Sequence, residues 1–317
     1  MTIVKQVKAT FNMKKYWIII LVTTMTIIPN VLFAQAKQIS FFNKKGGVNF
    51  QTSELDALAD TIAIVNHRWD DVVWQRTVYR IIDMRDKQNY QLYFPMRANN
   101  QYKSLFRLML EAISNVKKGV PVYRRSARDI VPSYEDSTRL QGEELSKVFA
   151  YNENNDNNLI QIDAVTKQPK INNDQYYNYV NNQFKFLIQE VIFFDKHTSR
   201  LYQNITGIAP IYSLHPDNTQ SKNPIKFLQE SILCWFAFSE LRPYLARQYV
   251  IPKGDGTQRL TYDEFFSQKL YSTYLLGDEN MFNRTLLESQ ISPTRIKKEQ
   301  NRIETEIINF EEDLWEY

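Results

Sequence analysis

The residues of this chain whose types could do chemistry are three histidines, one cysteine and a few acidic clusters. His67 stands just before Trp69-Asp70-Asp71, which could offer an imidazole and two carboxylates to a metal ion. The same two acids suit the first turn of a helix, where the backbone favours anions. His197 falls in a predicted hairpin turn and His215 precedes Pro216; both read as surface positions. No His has another His or Cys at metal-ligand spacing. Cys234 is followed by Trp235 and Phe236. That neighbourhood describes a core thiol, and no His or base motif accompanies it to make a nucleophile. Glu143-Glu144 and Glu311-Glu312 read as solvated faces. Phosphate-cradling Gly loops, nucleophile elbows and HExxH patterns do not occur. The sequence therefore calls for no catalytic residue, no metal and no cofactor.

A different cluster suits binding. Trp74, Arg76, Tyr79, Arg80, Asp83 and Arg85 crowd into one short stretch. Arg and aromatic side chains anchor protein interfaces. Ion pairing within one helix, such as Arg80 with Asp83 at i,i+3, would also account for the charges. With Arg242 and Trp315, these six are the candidate interface residues.

The stretch reads as a helix running into a strand. Val73, Trp74, Thr77, Val78, Ile81 and Ile82 recur at one-turn spacing. Asp70 and Asp71 open this predicted helix and Arg85 closes it. Tyr90–Pro95 alternates like a strand. Tyr102–Lys118 is a second predicted helix, stopped at Gly119. Val120–Arg124 is a predicted strand. Leu145–Tyr151 and Leu159–Val165 read as paired strands around the Asn-rich tip Asn152–Asn158. That tip lacks the Gly and Glu of a calcium loop. Phe184–Phe194 and Leu201–Tyr212 form a predicted long hairpin. Ile225–Phe238 is an apolar strand or a buried helix. Thr261–Gly277 is a third predicted helix. Its Asp263, Phe265, Phe266, Leu270 and Tyr271 echo Asp71, Val73, Trp74, Val78 and Tyr79, as a duplicated unit or by chance. Ser292 and Pro293 open a last amphipathic helix. Its Ile296, Ile303, Ile307, Phe310 and Leu314 make a seam for a partner helix or for the chain's own domain. The whole is an α+β pattern, helices mixed with antiparallel sheet and hairpins.

The first 34 residues read as a secretory signal peptide, with Lys5, Lys8, Lys14 and Lys15 before the apolar run Tyr16–Phe33. Cleavage is expected after Ala34 or Ala36, and Met13 could also serve as the start. No cysteine stands at the cleavage site, so a lipid anchor there is not expected. Gln35–Thr52 reads as an exposed arm, and Ser53–Ile64 as a short helix. Residues 53–317 make one α+β domain or two subdomains meeting near 165–175. Residues 1–34 hold four Lys and no acid, and the remainder carries 35 basic and 35 acidic residues. A neutral, aromatic-rich body argues against nucleic acid and for protein partners.

Three ordered blocks carry a resemblance: Asp70–Pro95; Leu241–Ala246, LRPYLA, after the aromatic run Trp235–Phe238; and Ile296–Tyr317. They resemble the GldN/PorN family, a soluble ring component of type IX secretion and gliding motility. The resemblance implies a non-enzymatic periplasmic subunit that self-associates in a ring. It implies an outer-membrane lipoprotein partner of the GldK/PorK type and contact with the periplasmic part of a GldM/PorM-type motor. The protein would then lie at the outer membrane through its partner. A periplasmic enzyme or ligand-binding protein is the alternative, and it would need a pocket with convergent polar groups. A self-assembling envelope scaffold is a further one.

Overall fold

The structure is a computed structural model. It describes residues 61–62, 67–99, 102–115, 119–126, 130–149, 158–180, 185–214, 229–252, 259–279, 285–286 and 292–315. The predicted leader, the arm Gln35–Thr52, most of the Asn-rich tip and His215 lie outside them. Thr61 and Ile62 are not helical.

The strands are β1 Val72–Asp83, β2 Val122–Arg124, β3 Ile160–Ile162, β4 Pro169–Ile171, β5 Lys185–Asp195, β6 Arg200–Leu214, β7 Gln229–Ile232, β8 Cys234–Ala237 and β9 Tyr274–Asp278. The helices are α1 Tyr90–Tyr93, α2 Leu105–Ile113, α3 Gly142–Val148, α4 Asn173–Val180, α5 Phe238–Leu245, α6 Tyr262–Ser267 and α7 Pro293–Trp315. Seven strands form one antiparallel sheet in the order β2-β8-β6-β5-β1-β9, with β7 on β6; β3 and β4 form a separate hairpin. The α+β class read from the sequence is the fold observed.

The stretch read as the first helix is the strand β1. Its residues Val78–Ile82 are buried on both sheet faces apart from Arg80. A strand buried on both sides shows an apolar run rather than alternation, and such a run also satisfies a helical stripe. The discriminating signal was composition. Val72, Val73, Thr77, Val78, Ile81 and Ile82 are β-branched, and Trp74 and Tyr79 are aromatic.

Three other segments also differ. Tyr90–Tyr93 is a helical turn rather than a strand. Leu145–Tyr151 overlaps helix α3, whose first turn holds Glu143 and Glu144 where the helix dipole favours acids. Ile160–Ile162 therefore pairs with Pro169–Ile171 instead. The predicted third helix ends at Ser267 and its remainder becomes β9. The stop is a Schellman turn, in which Leu270 N–H bonds Phe265 C=O and Lys269 N–H bonds Phe266 C=O. Lys269 takes the left-handed conformation there, at φ 52°, with no glycine to announce it. Asp71–Tyr79 is thus mainly strand and Asp263–Tyr271 helix and turn, so the two echo segments are not one repeated unit. Ile225–Phe238 contributes β7 and β8, with Phe238 opening α5.

The sheet has two unlike faces. Ile82, Phe186, Ile188, Ile208 and Phe236 meet helices α1, α2, α5 and α6 through Leu92, Met109, Leu241 and Phe265. Further along that face, Val78, Ile192 and Leu275 meet Ile296, Ile303 and Ile307 of α7. The opposite face, with Tyr79, Ile81, Leu187 and Trp235, is covered by Ile130, Val131 and Tyr134. That cover comes close. Tyr134 donates its hydroxyl to Gln189 Oε1 at 3.3 Å. A Cβ on Gly207 would overlap the Tyr134 hydroxyl and press on the Trp235 ring at 3.2 Å. Gly207→Ala should therefore destabilise the protein by about 1–3 kcal/mol through overpacking. The check is a lowered urea midpoint at unchanged m-value.

Candidate functional site

Alternation along β1 sends Trp74, Arg76, Val78 and Arg80 to the helix-covered face, and α7 docks on them. Trp74 stacks on Phe310 with ring centroids 4.3 Å apart and planes 24° from parallel. Phe194 meets Phe310 edge-on at 6.4 Å. Val78 and Ile303 are both fully buried. Two ion pairs flank this apolar seam. Arg76 Nη2 reaches Asp278 Oδ2 at 2.6 Å and Nη1 reaches Glu306 Oε2 at 3.0 Å. Burial opposes the Arg76 charge, but these two carboxylates outweigh it and raise its pKa. Glu306 is held below the usual carboxylate range, chiefly by its hydrogen bond from Arg76. Arg80 Nη1 lies 3.4 Å from Glu304 Oε1.

Arg80 also faces inward. Its Nε sits 3.2 Å from Glu190 Oε2, a charge contact without hydrogen-bond alignment. Glu190 is 1 % exposed. It accepts hydrogen bonds from Tyr271 Oη at 3.2 Å and Gln203 Nε2 at 2.5 Å. Glu190 was not among the candidates. Its signal was legible: a lone acid within FLIQEVIFF must find a partner if that strand is buried.

The remaining candidates are placed apart. Tyr79 points to the other sheet face, where its hydroxyl accepts from Gln189 Nε2 at 3.1 Å. Burial pushes its pKa up to about 12. The Arg80–Asp83 pair that a helix would have allowed does not form, because residues three apart on a strand point to opposite faces. Asp83 instead pairs with Arg85, Oδ2 to Nη2 at 2.5 Å. Burial would raise the Asp83 carboxyl, but the side-chain and backbone N–H groups of Arg85 prevail and lower it. The seam of α7 through Ile296, Ile303, Ile307 and Phe310 packs on its own sheet. Trp315 is the last residue of α7, and its side chain lies outside the described set.

Arg242 belongs to a second locus. Its Nε and Nη2 hold Asp263 at 2.7 and 2.9 Å. A half-open groove of about 370 Å³ lies beside this pair, lined in part by Ile62, His67, Tyr202, Phe238, Phe266 and Lys269. That volume sits at the low end for small-molecule sites. Four of its polar side chains, His67, Gln203, Arg242 and Lys269, are engaged within the chain. His67 Nδ1 meets Asp195 Oδ2 at 2.6 Å, and its ring contacts Phe193 and Tyr202. The His67 hydrogen bond is the main cause of a lowered Asp195 pKa. Lys269 Nζ donates to Gln203 Oε1 at 2.5 Å. Asp70 and Asp71 do not join His67. Lys196 Nζ donates to the Asp70 carbonyl and lies 3.8 Å from Asp71 Oδ1. Among the described residues, no three His, Cys, Asp or Glu side chains are grouped to hold a metal. Cys234 is fully buried, which pushes its thiol pKa far up and leaves it unreactive. No helix among the described residues is long and apolar enough to cross a membrane.

Residues 67–316 match the family described as gliding motility associated protein GldN. The chain belongs to the GldN family. The matched stretch begins at His67 and spans every strand and helix described above. No curated protein matches the chain. The GldN family supplies a structural component of the gliding-motility and type IX secretion machinery. In this GldN-family chain, Trp74, Arg76 and Arg80 build the contact between β1 and α7.

Removing Arg80 should be costly because Glu190 stays buried without its cation. Arg80→Ala is expected to lose about 3–5 kcal/mol. Arg124→Ala, at the exposed pair with Glu144 of α3, should lose no more than about 1 kcal/mol. Urea denaturation of both variants checks the contrast.

Acid should act on the same contacts. Asp83, Asp195, Glu299 and Glu306 all have lowered pKa values in the folded chain. Their stabilisation is complete above the unfolded values of about 3.9–4.3. It is lost as pH falls through the lower folded values. The thermal midpoint should therefore hold from pH 6 to about pH 5 and fall steeply below about pH 4.

Proposed function

We propose that this protein is a non-enzymatic structural subunit of the type IX secretion and gliding-motility apparatus. It is exported through the signal in residues 1–34, cut after Ala34 or Ala36, and works in the periplasm. It self-associates in a ring with an outer-membrane lipoprotein of the GldK/PorK type. The ring meets the periplasmic part of a GldM/PorM-type motor, and the lipoprotein supplies the membrane attachment. The observation that carries this reading is the GldN family match over residues 67–316.

The surface supports a binding role. Trp69, in the turn before β1, is 77 % exposed, and Val73, the second residue of β1, is 66 % exposed. Large apolar side chains left in solvent mark protein contacts when they gather. Arg85 is exposed beside its Asp83 partner at the other end of the strand. Lys298, Arg302, Thr305 and Asn309 line the outward side of α7. These residues, rather than buried Tyr79, are the ones a partner can reach.

The periplasmic enzyme or ligand-binding alternative would use the groove at His67. Its imidazole, Arg242 and Lys269 are each engaged within the chain, which favours the structural role.

The test is an affinity pull-down of the C-terminally tagged protein from solubilised envelopes, with crosslinking and mass spectrometry. Recovery of one outer-membrane lipoprotein in near-equal amount is expected. A paired Trp69→Ala, Val73→Ser variant should reduce that recovery severalfold while its thermal midpoint stays put. Recovery of the tagged chain alone, free in the periplasmic fraction, would refute the assembly.

A further inference from the structure

Several side chains around the groove are engaged, but part of its main chain is not. Four consecutive residues of β6, Tyr202, Gln203, Asn204 and Ile205, line it. Alternate residues of a strand point to opposite faces. Four in a row line one groove only where that groove runs along the edge of the strand. The pairing of β6 shows why this edge is open. β7 pairs with residues 211–214, and β8 with Gly207 and Ile208. Phe238 then turns the chain into α5, and the lane beside β6 is vacated. Among the described residues, 202–205 pair with β5 alone. Backbone groups alternate in direction along an antiparallel strand, so every second one of these residues aims its N–H and C=O into the groove.

The walls suit an extended guest. Ile62 is fixed in one of them: Asp263 Oδ2 accepts its N–H at 2.8 Å, and Arg242 Nη2 donates to its C=O at 2.5 Å. Phe238 and Phe266 supply an apolar side, and Ser239 and Ser267 are exposed at the rim. The ionisable side chains are His67, Arg242 and Lys269, with no Asp or Glu among the described residues that line the groove. Asp263 balances Arg242, and Asp195 meets His67. Lys269 differs. Its ammonium carries three N–H donors, and the partner it reaches is the uncharged amide oxygen of Gln203. A carboxylate is the group that complements it.

An unpaired strand edge accepts a further strand. Main-chain hydrogen bonds then give affinity, and flanking pockets select alternate side chains. We propose that the groove is a strand-addition site for an extended, proline-free segment of a partner protein that carries an acidic side chain. The segment adds to β6 in the lane that β8 leaves at Ala237. Its carboxylate meets Lys269, and an apolar side chain faces Phe238 and Phe266. The groove site stands independently of the assembly proposed above.

The probe is a fluorescein-labelled peptide, Glu-Val-Thr-Val-Thr with an amidated C-terminus, titrated into the purified full chain. Saturable binding is expected with a Kd below about 1 mM; its absence up to that concentration would overturn the site. Copies of the peptide N-methylated at alternate residues, one for each parity, read the edge. One should lose binding and the other keep it, because only one edge of an added strand faces β6. Equal behaviour of the two would overturn strand addition. Lys269→Glu should weaken binding by about tenfold or more and turn the preference towards Lys-Val-Thr-Val-Thr. An unchanged preference would overturn the carboxylate contact. Ser239→Trp, at the exposed rim, should block the groove while the thermal midpoint stays put. Undiminished binding by that folded variant would overturn the placement. Amide exchange, read residue by residue by NMR, tests the other occupants. Alternate residues of 202–205 should exchange fast in the free chain and become protected when the peptide is added. Protection of all of them without peptide would show a lane already filled, by this chain if it holds at every concentration and by a second copy if it grows with concentration. Either result would overturn the proposal.

Discussion

The buried carboxylate of Glu190 is the constraint around which this molecule is arranged. It lies near the middle of β5, between apolar strand residues, at 1 % exposure. A carboxylate in that position is expensive unless it is paired and hydrogen-bonded. Arg80 supplies the charge from β1, Gln203 a hydrogen bond from β6, and Tyr271 another from beyond α6. Each partner belongs to a different segment, so satisfying one acid fixes three pieces of chain. Arg80 then extends to Glu304 on α7. The net stability of such a network is small, because desolvation offsets most of the attraction. Its value is specificity: only one placement of α7 and of the turn at Lys269 leaves no charge stranded.

That constraint accounts for the crowding of Trp, Arg and Tyr in β1. A strand that must hold a helix needs a stacking ring, apolar contacts and cations at every second residue. Trp74, Arg76, Val78 and Arg80 meet that need in order. Tyr79 and Ile81, between and beyond them, serve the other face. The stretch most distinctive in sequence is therefore distinctive because it works on two faces at once. Nothing catalytic is required to explain it.

The same two-sidedness decides what could be read in advance. Helices α2 and α7 showed a plain helical period, and the hairpin β5–β6 was legible from the polar turn Asp195–Ser199 between two apolar runs. Where burial is two-sided, as at Val78–Ile82, the period disappears and only residue type separates strand from helix. The turn at Lys269 lacks the glycine that marks such stops, so the predicted helix ran through it into β9. The candidate residues were legible as a group, but their partners were not. Asp278, Glu304 and Glu306 lie over 200 positions from Arg76 and Arg80. Long-range pairs of this kind follow from topology, which the strand-for-helix exchange had concealed. Arg242 was legible as a candidate, yet its use of main-chain atoms of Ile62 leaves no trace in side-chain patterns.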